Sequence, residues 1–326
     1  MEQSADINRL PDEVIVRILQ QLPAIEVLNT ALVCKRLFYI ANSEKFMNKI
    51  TFTVKCTNEK VDDEYNCDLA YINCIECLKQ SSRNFKHIKF CSLSLTMYSD
   101  FIQRGWAVFG ANIASLQLKE CSVNDIDFVK MLSFCPNLTE LRLNDTIHYY
   151  KSKSNRVYDK QDFEKCLQTL TKLKIFDLSG NRSFGLSDYF FVNVVGKCAN
   201  LQELNVSGCK ILFHTGIIRR FYFNSSDQWS KPTDYAFTYS VLRHFLTNFG
   251  ANLKRLNFNR TALTNQSLLD LLSISTLTNL TYLSIEQCKN LTVDVVEDGR
   301  TLRPEVKINL NHHYFKKELI MSKCTS

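Results

Sequence analysis

The stretch Cys198-Ala-Asn-Leu201-Gln-Glu-Leu204-Asn-Val206-Ser-Gly-Cys209 decides the fold. Its apolar residues stand at Leu201, Leu204 and Val206, and the last two alternate as in a short strand with one buried face. The same spacing recurs at Phe85/Ile88/Phe90, Ile113/Leu116/Leu118, Leu138/Leu141/Leu143, Leu173/Phe176/Leu178, Leu253/Leu256/Phe258 and Leu280/Leu283/Ile285. The starts are near-evenly spaced except from Leu138 to Leu173 and from Leu201 to Leu253, so they signal a stacked array once two insertions are allowed. Context separates these matches from chance. Asn precedes the first apolar residue in six of the seven (Asn84, Asn112, Asn137, Asn200, Asn252 and Asn279), and Lys172 takes its place in the other. Three positions after the last apolar one stand Leu93, Cys121, Thr146, Asn181, Cys209, Thr261 and Cys288, which are mostly small and polar.

Between these strands the apolar spacing changes to three and four, laying a stripe on one helix face. It does so at Ile126/Val129/Met131/Leu132, Phe163/Cys166/Leu167/Leu170, Phe190/Val194/Val195 and Leu268/Leu269/Leu271/Leu272. The pattern resembles the leucine-rich repeat, most closely its cysteine-containing subclass at Cys135-Pro-Asn-Leu138 and Cys198 to Cys209. The resemblance implies an α/β fold, a horseshoe-shaped solenoid of short parallel strands with helices outside. A degenerate unit is expected at Ile50-Thr-Phe-Thr-Val54 with a helix near 68–81, and a last strand at Val306–Leu310. At the turn, Asn or Cys can satisfy stacked backbone groups that an apolar residue would leave orphaned.

The insertions fall near 144–165 and 219–239. The first carries Tyr149, Tyr150, Lys151, Lys153, Arg156 and Tyr158; the second carries Arg219, Arg220, Tyr222, Trp229, Lys231 and Tyr235. Such aromatic and basic side chains suit ligand contacts, although long surface loops are also tolerated without a role. Ile218/Phe221/Phe223 fits the strand spacing but starts too soon after Leu201 for a full unit, and is read as a false match.

The segment 1–48 differs from the rest. In Leu10-Pro-Asp-Glu-Val-Ile-Val-Arg-Ile-Leu-Gln-Gln-Leu-Pro23, Pro11 suits a helix start and Asp12 and Glu13 complement the helix dipole. Val14, Ile18 and Leu22 form one row, with Ile15 and Leu19 beside it. A second helix with Ile25, Leu28, Ala31 and Leu32 follows, then the apolar patch Val33–Ala41. Three short helices cannot bury that much apolar surface among themselves, so a partner is expected. The segment resembles the F-box in its Leu-Pro-x-Glu opening, its Leu-Pro ending and Val33-Cys-Lys-Arg36, with Leu37 and Phe38 where the family commonly has Trp. The resemblance implies docking onto the Skp-type adaptor of a cullin-RING ubiquitin ligase through Leu10, Pro11, Ile15, Ile18, Leu22, Leu28, Val33, Cys34 and Phe38. The bland alternative is a helical cap for the solenoid. The expected division is F-box over 1–48, solenoid over 49–311, and a basic tail over 312–326.

Composition is consistent with this reading. The chain has 326 residues, more than one core usually supports, and only 9 Gly and 5 Pro, too few for a collagen-like or disordered chain. Its net charge of +7 is spread thinly, so nucleic acid is not expected as a partner. The odd count of 13 Cys and a start without a signal-like apolar stretch lead us to expect a reduced, intracellular protein of cytoplasm or nucleus, not secreted and without a membrane span. The sequons at Asn137, Asn205 and Asn279 are then by-products of the repeat. Cys74-x-x-Cys77 lacks a second pair at zinc spacing, and His312-His313 sits in the basic tail, so no metal is expected. Phosphate-binding, metalloprotease and serine-hydrolase motifs are also missing, so neither a cofactor nor a catalytic residue is expected.

The function these features imply is a non-catalytic substrate-recognition subunit, which holds an unknown protein near a ubiquitin-charged enzyme. A ligase-independent binding scaffold is the alternative. On the concave face, residues between the inward apolar positions should meet the substrate: Lys89, Gln117, Arg142, Asp177, Asn205, Asn257 and Ser284. Lys119, Asn144, Ser207, Asn259 and Glu286 form the next row. Together they make a polar surface without a charge ridge, which argues against a simple acidic ligand.

Overall fold

The computed structural model describes residues 9–22, 24–48, 50–55, 75–81, 83–93, 95, 105–149, 160–181, 188–213 and 237–310. It opens with four helices, α1 (Asp12–Leu19), α2 (Ala24–Thr30), α3 (Lys35–Ala41) and α4 (Glu44–Met47). Pro11 stands at the N-cap of α1, and the Cys34 sulfur accepts from the Leu37 N–H at the start of α3. Ile15 and Leu19 of α1 meet Val27, Ala31, Leu37, Ile40, Ala41 and Phe46 in a small separate core. Arg36 closes the bundle from outside, donating to the Asp12 carboxylate at 2.7 Å and to the Leu10 carbonyl at 2.5 Å.

Thirteen strands follow among the described residues. They are β1 (Thr51–Lys55), β2 (His87–Cys91), β3 (Ser115–Lys119), β4 (Ser122–Asn124), β5 (Glu140–Asn144), β6 (Ile147–Tyr149), β7 (Ile175–Asp177), β8 (Glu203–Asn205), β9 (Ile211–Leu212), β10 (Phe237–Thr238), β11 (Arg255–Asn257), β12 (Tyr282–Ser284) and β13 (Lys307–Asn309). Nine of them make one parallel sheet in the order β1-β2-β3-β5-β7-β8-β11-β12-β13. Each anticipated repeat supplies one strand, and the units at residues 50–54 and 306–310 supply β1 and β13. Parallel neighbours require a crossover between them. Helices Asp125–Ser133, Lys160–Lys172, Asp188–Asn193, Tyr239–Phe249, Asn265–Leu272 and Val293–Leu302 lie in those crossovers, making an α/β solenoid. None of the described helices is long and apolar enough to cross a membrane.

The two long intervals depart from simple loops. After β5, β6 pairs with β4, and the helix Lys160–Lys172 occupies the end of the 144–165 stretch. In the second interval, Phe237 and Thr238 pair with β9, and Tyr239 begins a helix, so 237–239 belong to the framework. The buried carboxylate of Asp188 accepts from the Thr238 N–H at 2.7 Å, tying that return point to the start of the preceding helix. Since β8 pairs directly with β11, the long interval from Leu201 to Leu253 adds no strand between them. Ile218, Phe221 and Phe223 lie outside the described residues.

One apolar core runs from Met47 through Leu310, with Trp106, Phe90, Phe128, Phe176, Phe191 and Phe258 fully buried along it. Polar columns lie beside the apolar one. At the first, Nδ2 of Asn137, Asn200, Asn252 and Asn279 donates to Ala111, Thr171, Ala199 and Ala251 carbonyls of the preceding unit at 2.7–3.1 Å. Lys172, the exception in sequence, does the same with its Nζ, donating to the Pro136 carbonyl at 2.8 Å. At the second, Thr146, Asn181, Cys209 and Cys288 donate to the carbonyls of Leu118, Leu143, Leu178 and Phe258, again one unit back. A third column was not foreseen. Ser92, Glu120, Asp145, Gly180, Gly208, Arg260 and Gln287 all have positive φ, turning the chain just before the polar position. Gly180 and Gly208 take this turn at φ of +83° and +68°, which costs least without a Cβ.

The cysteines at the repeat turns, and Cys166 in the helix Lys160–Lys172, are buried thiols. Desolvation pushes Cys121 up to about 11 and Cys166 and Cys209 up to about 12, and raises Cys135 and Cys198 further still. Their folded values lie above the ordinary thiol range, so the stability they contribute is present below about pH 9 and is lost as pH rises toward 12. Iodoacetamide applied to the native protein at pH 8 is expected to modify the exposed Cys77 and spare Cys121, Cys135, Cys166, Cys198, Cys209 and Cys288. Peptide mass spectrometry reads the result, and rapid native labelling of Cys198 would contradict its burial.

Candidate functional site

Two surfaces can meet other proteins. The first is on the helical module. One of its sides is anchored: Leu28 packs on the solenoid core, Met47, Ile50 and Val54 join it, and Arg83 Nε donates to Asn42 Oδ1 at 3.0 Å. Lys86 pairs with Glu44 at the same junction, and this contact holds the Glu44 carboxyl below the usual range. Elsewhere the module exposes large apolar side chains. Leu32 is 79% exposed, Val33 73% and Tyr39 72%, and Val14 and Ile18 project from α1.

The nine residues expected to meet an adaptor divide accordingly. Pro11, Ile18 and Val33 are exposed; Leu10, Leu22 and Phe38 are half-buried and pack on the module core. Ile15 is corrected: at 2% exposure it is an interior residue of the module. Leu28 faces the solenoid and Cys34 caps α3, so neither presents a free apolar side chain. Val14, Leu32 and Tyr39, which were not among the nine, are also exposed on the module. Val14 and Ile18 share a row at helical spacing, and the choice of which α1 row faces outward was open until α3 covered the Ile15/Leu19 row.

A family model described as F-box-like matches residues 7–53. The helical module is an F-box-like domain. No curated protein matches the chain. Among solved structures, a chain from the crystal structure of the Rad7 and Elc1 complex in yeast is similar at 13% identity over 95% of this chain and 96% of that one. Its TM-score of 0.25 is too low for the geometry of one to be transferred to the other. The F-box-like domain therefore rests on the match at 7–53 and on the helices described above.

The second surface is the open face of the sheet. Lys89, Gln117, Arg142, Asp177, Asn205, Asn257 and Ser284 fall in one continuous ladder row, extended by Thr53 and Asn309 at its ends. They are together in space, but not all are available. Asp177 is 6% exposed and Ser284 3%. The side chains of Asp177, Asn205 and Asn257 accept from the N–H two positions on, at Ser179, Ser207 and Asn259, at 2.9–3.0 Å. These Asx turns end the short strands, so much of this row's hydrogen-bonding capacity serves the fold. Arg142 is also engaged, by Glu140 on its own strand and Asp177 on the next. Gln117 Nε2 donates to Asn144 Oδ1 at 2.8 Å, and Asn144 Nδ2 to Ser179 Oγ at 2.9 Å.

A further row was overlooked. Period-two alternation places the residue two before each of these on the same face. That row is His87, Ser115, Glu140, Ile175, Glu203, Arg255, Tyr282 and Lys307, with Glu203 and Arg255 paired. Tyr149 lies in β6; Tyr150, Lys151, Lys153, Arg156 and Tyr158 lie outside the described residues, as do Arg219, Arg220, Tyr222, Trp229, Lys231 and Tyr235. So do Cys74 and the His312-His313 pair; among the described residues no group of three or more His, Cys, Asp or Glu converges to hold a metal.

Proposed function

We propose that the chain is a substrate-recognition subunit of an SCF-type cullin-RING ubiquitin ligase. Its F-box-like domain docks a Skp-type adaptor, and its repeat surface, of the cysteine-containing leucine-rich class, holds the protein to be ubiquitinated. The division proposed is F-box over 1–48, solenoid over 49–311 with insertions near 144–165 and 219–239, and a basic tail over 312–326. The supporting observation is the outward apolar set Val14, Ile18, Leu32, Val33 and Tyr39 on a domain whose other side is already anchored. A cap needs only the anchored side, and large exposed apolar groups of this density mark an interaction surface. The chain performs no covalent step in this reading. It raises the concentration of substrate lysines near a charged enzyme supplied by other subunits.

The alternative, a ligase-independent scaffold with a helical cap, draws support from the Leu28, Met47 and Ile50 contacts with the solenoid. Co-precipitation of the full-length protein from cells, blotted for adaptor and cullin, separates the two. Both partners are expected with wild type and neither with a Leu10→Ala/Pro11→Ala variant. Adaptor without cullin, or neither partner, would favour the scaffold.

A further inference from the structure

The open face of the sheet is not electrostatically uniform. Its first three strands carry Lys55, His87, Lys89 and Lys119, and no acidic side chain stands at an open-face position of β1, β2 or β3. The register brings them close: Lys89 pairs laterally with Thr53 and Gln117, and Lys55 and Lys119 flank Cys91. Adjacent strands lie about 4.8 Å apart, so the three lysines spread over roughly 10 Å. Glu120, in the turn after β3, lies 3.4 Å from Lys119, but both side chains are near half-exposed and the pair is screened. Lys55 and Lys89 have no carboxylate partner among the described residues. The next strands differ, because Glu140 and Asp177 both pair with Arg142, leaving that cluster net acidic, and Glu203 pairs with Arg255.

We infer that the β1–β3 end of the open face docks an extended acidic segment of the bound protein, rich in Asp and Glu. This rests on the substrate-recognition reading and specifies it. The patch consists of separate lysine point charges on flexible stems with no arginine fork, which suits carboxylates distributed along a strand better than a single phosphate held bidentately. It also lies on the strands nearest the F-box-like domain, at whose junction Lys86 and Arg83 already engage Glu44 and Asn42. The expectation from sequence of a surface without a charge ridge is thereby revised, since it omitted β1 and the His87 row.

The test uses purified full-length protein and a fluorescein-labelled decaglutamate peptide, followed by fluorescence anisotropy, with decalysine as control. Wild type is expected to bind decaglutamate more weakly as salt rises and not to bind decalysine. The triple variant Lys55→Gln/Lys89→Gln/Lys119→Gln is expected to weaken binding about tenfold. A charge-matched triple at exposed lysines off this face, Lys174→Gln/Lys197→Gln/Lys254→Gln, is expected to change it less than about twofold. Equal losses in the two triples would make net charge the cause and overturn the inference, as would undetectable decaglutamate binding. A neutral peptide bearing one phosphoserine that outcompetes decaglutamate would overturn the extended-acid assignment. The same preparations are scored for adaptor capture. The Lys55/Lys89/Lys119 variant retains it if the two surfaces are separate, and its absence in wild type would count against the ligase reading without touching the peptide result.

Discussion

Replacing Leu32 and Val33 together by aspartate is expected to abolish adaptor capture while leaving the protein folded. Both side chains stand in the turn between α2 and α3, among the most exposed large apolar groups of the described residues, so neither contributes a core contact to lose. In a complex each would bury its surface for about 1.5–3 kcal/mol, so the double change forfeits about 3–6 kcal/mol before any cost of burying carboxylates. That corresponds to a weakening of about two to four orders of magnitude. Isothermal titration against a purified Skp-type adaptor measures it, and thermal melting of the variant checks that the fold survives. Undiminished affinity would remove this turn from the interface. Ile15→Asp would not serve, because a charge in the small core of the module would unfold it and lose binding for an uninformative reason.

The second large effect is inside the solenoid. Phe176→Ala is expected to cost about 3–5 kcal/mol of unfolding free energy. Phe176 is fully buried on β7, between Leu141 of β5 and Leu204 of β8. Each unit contacts only its neighbours, so a cavity at the middle of the sheet weakens both interfaces it shares. Urea unfolding followed by far-ultraviolet circular dichroism measures the change. Thr53→Ala on exposed β1 serves as the control, with an expected effect within about 0.5 kcal/mol. A Phe176→Ala loss below about 1 kcal/mol would contradict the register that places this side chain inside.

The repeat architecture was legible because it rests on local periodicity reinforced by repetition. Leu204 pairs with Phe176 and Leu256, and Leu116 with Ile88 and Leu141, as their equivalent positions in the sequence require. The same holds for most of the polar columns: Asn137, Asn200, Asn252 and Asn279 before their strands, and Thr146, Asn181, Cys209 and Cys288 after theirs, each reach a carbonyl one unit back, whereas Cys121 and Thr261 donate within their own unit. Lys172 shows that the constraint is the donor and its reach, since a lysine ammonium meets Pro136 where carboxamides meet their carbonyls elsewhere. The helices at Tyr239–Phe249 and Val293–Leu302 were not singled out in the sequence, and neither were the short pairings β4–β6 and β9–β10. Such very short strands carry too little pattern to distinguish them from loops.

The candidate interaction surfaces were only half legible, for a related reason. Sequence by itself determined that the segment 1–48 forms a small helical module with more apolar surface than it can bury, and that an array of strands and helices follows. Only the tertiary structure decided which apolar row of α1 is covered, because Ile15/Leu19 and Val14/Ile18 are equivalent until α3 packs on one of them. It likewise decided that Asp177, Asn205 and Asn257 close their own turns, and that Lys55, Lys89 and Lys119, each on a different repeat unit, share one corner of the sheet. Periodicity states which side chains share a face of one element. Which face is left open depends on what packs against it, and that depends on contacts between segments distant in sequence.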